Sequence, residues 1–238
     1  MKHIKKSPLI IAHRGGAKSF FKKENTLDLF EAAIKQEIKM IEFDVRRTKD
    51  RQLVVFHDDS IDGQKISSLN YPDLALLARQ SGLSVPLLKD ALRICADQVM
   101  LDIELKESDY EEDVISLVEH YYSREHYVIT SFLDSVIKKI KKLRPDIRAG
   151  LLIGKKGASI PERLSEIFPF RRLKHAKADF VVPHYLLVTP WLVRLCQRRK
   201  YNIYVWTVNE DAVFTKLVKK KVTAIITDYP ERYMEYSH

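Results

Sequence analysis

The chain has 238 residues, 45% of them apolar and 31% charged, a balance that excludes a disordered or fibrous protein. Its length is close to the roughly 250 residues typical of a single (β/α)₈ barrel, and no stretch approaches the roughly 18 uninterrupted apolar residues that span a bilayer. Lysine and arginine number 41 against 32 acidic residues, a net charge of +9 whose positive field favours phosphate-bearing partners.

Short β-branched runs alternate with helical periodicity, the pattern of a parallel α/β fold. Strands are predicted over residues 9–12, 40–46, 53–57, 99–105, 127–131, 148–153, 179–182, 202–207 and 224–227. The third of these follows its predecessor after a short polar turn at residues 49–52, which leaves no room for a parallel crossover. It is therefore expected to return as an antiparallel arm. A two-residue loop at Asp50 and Arg51 would pair Thr48 with Leu53, Arg46 with Val55 and Asp44 with His57. The remaining eight strands make a single-domain TIM-type (β/α)₈ barrel over residues 1–238, with an extra antiparallel hairpin arm after the second strand.

Asn25 is predicted to cap a helix running to about Gln36, and Asp134 one that ends before Pro145. Pro190 and Pro230 suit the first turns of two more helices. Residues 154–177 read as one helix behind a mobile loop. Basic runs such as Lys138-Lys139 and Lys219-Lys220-Lys221 fall near helix C-termini, where cations complement the dipole. With no zinc-finger, RRM or zipper signature beside them, a nucleic-acid partner is not expected.

Cys95 and Cys196 lie in predicted helices, too few for a disulfide framework, and suit reduced thiols in a cytoplasmic protein. The basic start Met1-Lys2-His3-Ile4-Lys5-Lys6 is followed by an apolar run shorter than the roughly 7 to 15 residues of a signal peptide, so export is not expected.

In a barrel, catalytic groups stand at the C-terminal ends of the strands. His13 and Arg14 end the first strand, Glu42 and Asp44 the second, Glu104 and Lys106 the third of the parallel set, and Trp206 the seventh. Glu42 and Asp44 are two apart and share a face, which Glu104 can join from the neighbouring strand. Three converging carboxylates suit a hard divalent cation, Mg²⁺ or Ca²⁺. The plainer alternative pairs Asp44 with Arg46 or Arg47 and Glu104 with Lys106 as ion pairs. Asp102, one layer deeper, reads as structural, and Asp228 as a residue that fixes its turn.

Two imidazoles beside a metal suit phosphodiester cleavage, one removing a proton from the attacking hydroxyl and the other protonating the departing alkoxide. His13 and His57 are the candidates. Arg14 has the forked geometry for phosphate, Lys106 can reach a phosphate oxygen, and Trp206 can line the pocket wall. Phe20 and Phe21 could touch an alcohol group or a lipid surface.

Taken in order, the motifs His13-Arg14-Gly15, Glu24-Asn25-Thr26, Glu42-Phe43-Asp44-Val45, Val54-Val55-Phe56-His57-Asp58, Ile103-Glu104-Leu105-Lys106, Trp206-Thr207-Val208-Asn209 and Ile226-Thr227-Asp228-Tyr229-Pro230 resemble the glycerophosphodiester phosphodiesterase family over nearly the whole chain. The resemblance implies a divalent metal held by Glu42, Asp44 and Glu104, with His13 and His57 as the acid/base pair. It also implies phosphate contacts from Arg14 and Lys106, and conversion of a glycerophosphodiester to glycerol 3-phosphate and an alcohol. Departures occur at Lys23, where the family usually has proline, at residues 58–63, which lack the expected arginine, and at residues 219–224, which replace a glycine-rich stretch. They touch loops that could set leaving-group preference, which leaves a lysophospholipase D with peripheral lipid contact as a second expectation.

Overall fold

The computed structural model describes residues 7–19, 23–155, 157 and 159–236. Its strands are β1 (Leu9–Ala12), β2 (Met40–Arg47), β3 (Leu53–Val55), β4 (Ser60–Ile61), β5 (Gln64–Lys65), β6 (Met100–Leu105), β7 (Tyr127–Ser131), β8 (Ala149–Ile153), β9 (Phe180–Pro183), β10 (Asn202–Val205) and β11 (Ala224–Thr227). The helices are α1 (Leu27–Lys35), α2 (Tyr71–Gln80), α3 (Leu88–Cys95), α4 (Glu111–Tyr121), α5 (Asp134–Leu143), α6 (Ile160–Ile167), α7 (Phe170–Ala176), α8 (Pro190–Arg198) and α9 (Asp211–Lys220).

β1, β2 and β6 to β11 form a parallel sheet in sequence order, and pairing of β1 with both β11 and β2 closes it into the expected eight-stranded barrel. Side chains alternate across each strand. One set, including Ile11, Met40, Val128, Leu152, Phe180, Tyr204 and Ile226, fills the barrel, while the other packs against the surrounding helices. Gly150 admits the Phe180 ring to the interior, since a Cβ there would lie 2.2 Å from Phe180 Cε2.

β2 is long because it serves two neighbours on one edge. Its first residues pair with β1, and Val45 to Arg47 pair with antiparallel β3 above the end of β1. The hairpin arm is thus present, but its register differs from expectation by one residue: Val45 faces Val55, Arg46 faces Val54 and Arg47 faces Leu53. The loop holds three residues rather than two. Thr48 N–H bonds to Gln52 C=O at 3.0 Å, and Arg51 takes a left-handed φ of 64°. The Asp50 carboxylate accepts from Thr48 Oγ1 and from the Tyr71 N–H, pinning that turn.

Residues beyond β3 form an insertion before α3. Val54, Ile61, Ile66, Leu74, Ala78 and Val85 make its own small core, which buries the second face of the arm. Two further expectations change. Residues 154–177 contain two helices, α6 and α7, rather than one. Asn25 does not cap α1, whose N-cap is Thr26, and Asp134 is the first residue of α5 rather than its cap. Phe20 and Phe21 lie outside the described residues. Among those described, no helix is long and apolar enough to cross a membrane.

Candidate active site

β2 and β6 bring the acidic residues together by register. Asp44 stands directly opposite Glu104, and Glu42 opposite Asp102. All four are buried. Like charges facing each other across a sheet are destabilising, more so out of water, unless something neutralises them. Burial and mutual repulsion accordingly push the Glu42 carboxyl well above the usual carboxylate range. Burial also raises Glu104 despite its Lys106 partner, and pushes Asp102 up to about 7. Asp44 goes the other way. Burial opposes its charge, but Lys106, Arg14 and the Asn25 amide outweigh that and hold it well below the usual range.

Glu42, Asp44 and Glu104 can each offer an atom such that all three lie within 4.8 Å of one another. The donor set is all oxygen, buried and anionic, which fits a hard divalent cation. Asp102 sits deeper, where Thr130 Oγ1 donates to it at 2.8 Å.

Both cations expected here reach this cluster. Lys106 Nζ lies 2.6 Å from Glu104 Oε1 and 3.1 Å from Asp44 Oδ1. The Arg14 guanidinium lies 3.3 Å from Asp44 and 2.6 Å from Glu24. Arg14 also adopts a left-handed φ of 49°, which aims its backbone N–H at Glu42 Oε2, 2.8 Å away. The Glu104–Lys106 ion pair exists alongside the cluster, whereas Arg46 and Arg47 pair with Glu107 and Asp113 rather than with Asp44.

His13 stands at the mouth end of β1. Its Nδ1 lies 2.6 Å from Asp228 Oδ1, and its Nε2 is directed toward Glu42 Oε2 at 4.0 Å. With Asp228 accepting from Nδ1–H, Nε2 is the atom that can exchange a proton in the pocket. Asp228 is itself held by Lys18 at 2.7 Å and by the Asn209 amide at 2.7 Å. Burial would raise this carboxyl, but bonds from His13, Lys18 and Asn209 keep it well below the usual range.

His57 lies past the end of β3, so it does not face Asp44 across the ladder; that position belongs to Phe56, whose N–H bonds to Asp44 C=O at 3.0 Å. The chain bends after Phe56 because the Arg46 guanidinium holds the His57 carbonyl with bonds of 2.9 and 2.8 Å. The imidazole still shares the electrostatic neighbourhood of the cluster: burial lowers its pKa, Asp44 opposes this, and Lys106 and Arg14 reinforce it. Its Nδ1 lies 2.7 Å from Asp58 Oδ1.

Trp206 donates from Nε1 to the Val182 and Ile153 carbonyls at 3.0 and 3.3 Å, which fixes its ring across β8 and β9. It lines one small pocket with His13, Glu42, Asp102, Glu104 and Thr130.

Two further residues hold the site's side chains in ways the sequence does not predict. Asn25, expected as a cap, takes a left-handed φ of 58° and donates to Asp44 Oδ2 at 2.9 Å. Asp228, expected only to fix a turn, holds His13. A signal existed in each case, because both belong to the ordered motifs.

Comparison with known proteins supports the reading of these motifs. The chain is 28% identical to a glycerophosphodiester phosphodiesterase of Caldanaerobacter subterraneus subsp. tengcongensis, covering 94% of this chain and 95% of that protein. It is 25% identical to Homo sapiens lysophospholipase D GDPD3, over 94% of this chain and 83% of the relative. The structure of a glycerophosphodiester phosphodiesterase from Parabacteroides distasonis superposes with a TM-score of 0.81 at 26% identity, covering 98% of each chain. The model of the glycerophosphoryl diester phosphodiesterase family matches residues 13–232, a span that contains every site residue described above, and the chain belongs to that family.

Proposed function

We propose that this enzyme is a metal-dependent phosphoric diester hydrolase that cleaves glycerophosphodiesters, such as glycerophosphocholine and glycerophosphoethanolamine, to glycerol 3-phosphate and an alcohol. The observation that carries the reading is the position of His13, tethered through Nδ1 to Asp228 and turned through Nε2 toward a buried three-carboxylate cluster.

Glu42, Asp44 and Glu104 would hold Mg²⁺ or Ca²⁺, which when bound supplies positive charge to the phosphoryl oxygens as negative charge develops there. Arg14 and Lys106 stand at the same cluster and would bind the phosphate, giving up part of their present pairing with Asp44 and Glu104. The Trp206 ring packs beside the substrate's carbon skeleton. Of the two histidines, one takes the proton of the attacking glycerol 2-hydroxyl and the other delivers a proton to the departing alkoxide oxygen. Phosphorus–oxygen bond formation at the 2-hydroxyl and cleavage at the alcohol give a cyclic phosphate. Water then opens it with the two imidazoles in exchanged roles. Two free, buried cysteines suit a reducing compartment, and we place the enzyme in the cytoplasm.

A substrate panel assayed in chelator and after adding back Mg²⁺ or Ca²⁺ tests this reading. Turnover of glycerophosphocholine that chelator abolishes and metal restores is the expected result. Undiminished turnover in chelator would remove the metal from the mechanism. A second reading, lysophospholipase D, is favoured by the similarity to the Homo sapiens enzyme of that name. Clear preference for lysophosphatidylcholine over glycerophosphocholine would select it.

A further inference from the structure

A surface helix of a globular protein ordinarily turns its apolar stripe inward and its polar face to water. α6 is built the other way round. Ile160, Leu164 and Ile167, at i, i+4 and i+7 on one face, are 79%, 57% and 43% exposed. Its polar side faces the barrel. Glu166 is buried, accepts the Gly154 N–H at 2.6 Å and pairs with Arg163 at 2.6 Å, which pins the helix to the end of β8.

Phe168, Leu186 and Trp191 enlarge the exposed apolar surface. The Phe168 and Trp191 rings meet edge to face at 5.1 Å. Leu186 stands on the turn after β9, whose His184 packs against Gly154. On the same turn His184 meets the Trp206 ring edge to face, with centroids 5.1 Å apart. An exposed apolar stripe of this kind marks a binding surface.

Charge selects the occupant. Lys155 precedes α6, Arg171 lies on α7 near Phe168, and Arg194 is one turn from Trp191 on α8; all three are exposed. Against them stands Glu162 on α6, while Glu166 and Asp134 are paired with Arg163 and Arg172. A second copy meeting this face about a twofold axis would bring two basic rims together. An anionic lipid surface would meet them with opposite charge and receive the apolar side chains at its acyl boundary. We propose that the rim formed by α6 and the starts of α7 and α8 docks this enzyme on an anionic phospholipid membrane.

The test is co-sedimentation of the full chain with vesicles, which needs no catalytic activity. Vesicles of phosphatidylcholine and phosphatidylglycerol in equal parts should carry the protein down, vesicles of phosphatidylcholine alone much less, and added salt should release it. Ile160→Glu with Leu164→Glu should weaken binding by about tenfold or more at an unchanged melting temperature. If that pair fails to fold, Ile160→Ser with Leu164→Ser serves the same purpose. Arg171→Glu with Arg194→Glu should remove the preference for anionic vesicles. Wild-type protein left in the supernatant, or apolar variants sedimenting as wild type does, would overturn the proposal. So would a stable dimer in ultracentrifugation that the apolar variants dissolve, since a second copy would then be the occupant.

Discussion

His13 and Asp228 meet through a 2.6 Å contact between Nδ1 and Oδ1, although 215 positions separate them in the chain. They directly follow β1 and β11, the strands whose pairing helps close the barrel. Replacing Asp228 with Asn preserves size but lets an amide N–H face Nδ1, which permits the wrong tautomer. We expect kcat to fall by about 10²- to 10⁴-fold with little change in KM. An unchanged kcat would reduce Asp228 to a structural role.

His13→Ala and His57→Ala are each expected to remove turnover while the melting temperature stays within a few degrees of wild type. Neither ring belongs to the apolar core, so little packing is lost. Steady-state rates on a soluble glycerophosphodiester check this. A near-normal rate in either variant would remove that residue from the acid/base pair.

The acidic cluster makes metal-free stability depend on pH with a definite sign. Glu42 and Glu104 have raised pKa values and Asp102 is pushed up to about 7, so the native state holds these protons more tightly than the unfolded chain does. Their contribution is therefore present at low pH and is lost as pH rises from the unfolded value, about 4, through the folded one. His57, lowered by burial, acts oppositely below about pH 6.5. Comparison with Glu42→Gln separates the two. In chelator the variant should gain melting temperature relative to wild type as pH rises from about 5 to 7.5, at about 2–4 °C per kcal/mol. Mg²⁺ or Ca²⁺ should stabilise wild type at pH 7.5 and the variant much less. A difference that shrinks with rising pH would contradict the assignment.

Gly150→Ala should destabilise the barrel without touching the site. The added methyl would lie 2.2 Å from the Phe180 ring, whose neighbours include Tyr204 at 4.5 Å between ring centroids. The cost should be about 1–3 kcal/mol, a loss of several degrees in thermal melting at about 2–4 °C per kcal/mol. Wild-type stability would mean that the ring has room to move.

Period and punctuation in the sequence were enough to find the eight barrel strands and the returning arm. β-branched runs are local signals, and a turn as short as residues 49–52 admits only an antiparallel partner. Strand alternation puts Glu42 and Asp44 on one face whatever the tertiary context, and the ordered motifs that resemble the family marked His13, His57 and Glu104 beside them. The insertion after the arm was not marked, since its strands have two residues each and carry almost no pattern.

Register, second contacts and exposure were decided only by the tertiary structure. One extra residue in the hairpin loop, held by Asp50, moved His57 off the ladder, and a bond pair from Arg46 then directed the chain at that point. Asp228 meets His13 only because β11 closes against β1, and Asn25 meets Asp44 only because its left-handed turn carries the amide from the loop after β1 over to β2. An apolar stripe such as that of α6 ordinarily faces inward. Burial of Glu166 against the end of β8 is what turns it to solvent, because a desolvated carboxylate must keep its hydrogen bonds while an exposed leucine loses only its packing.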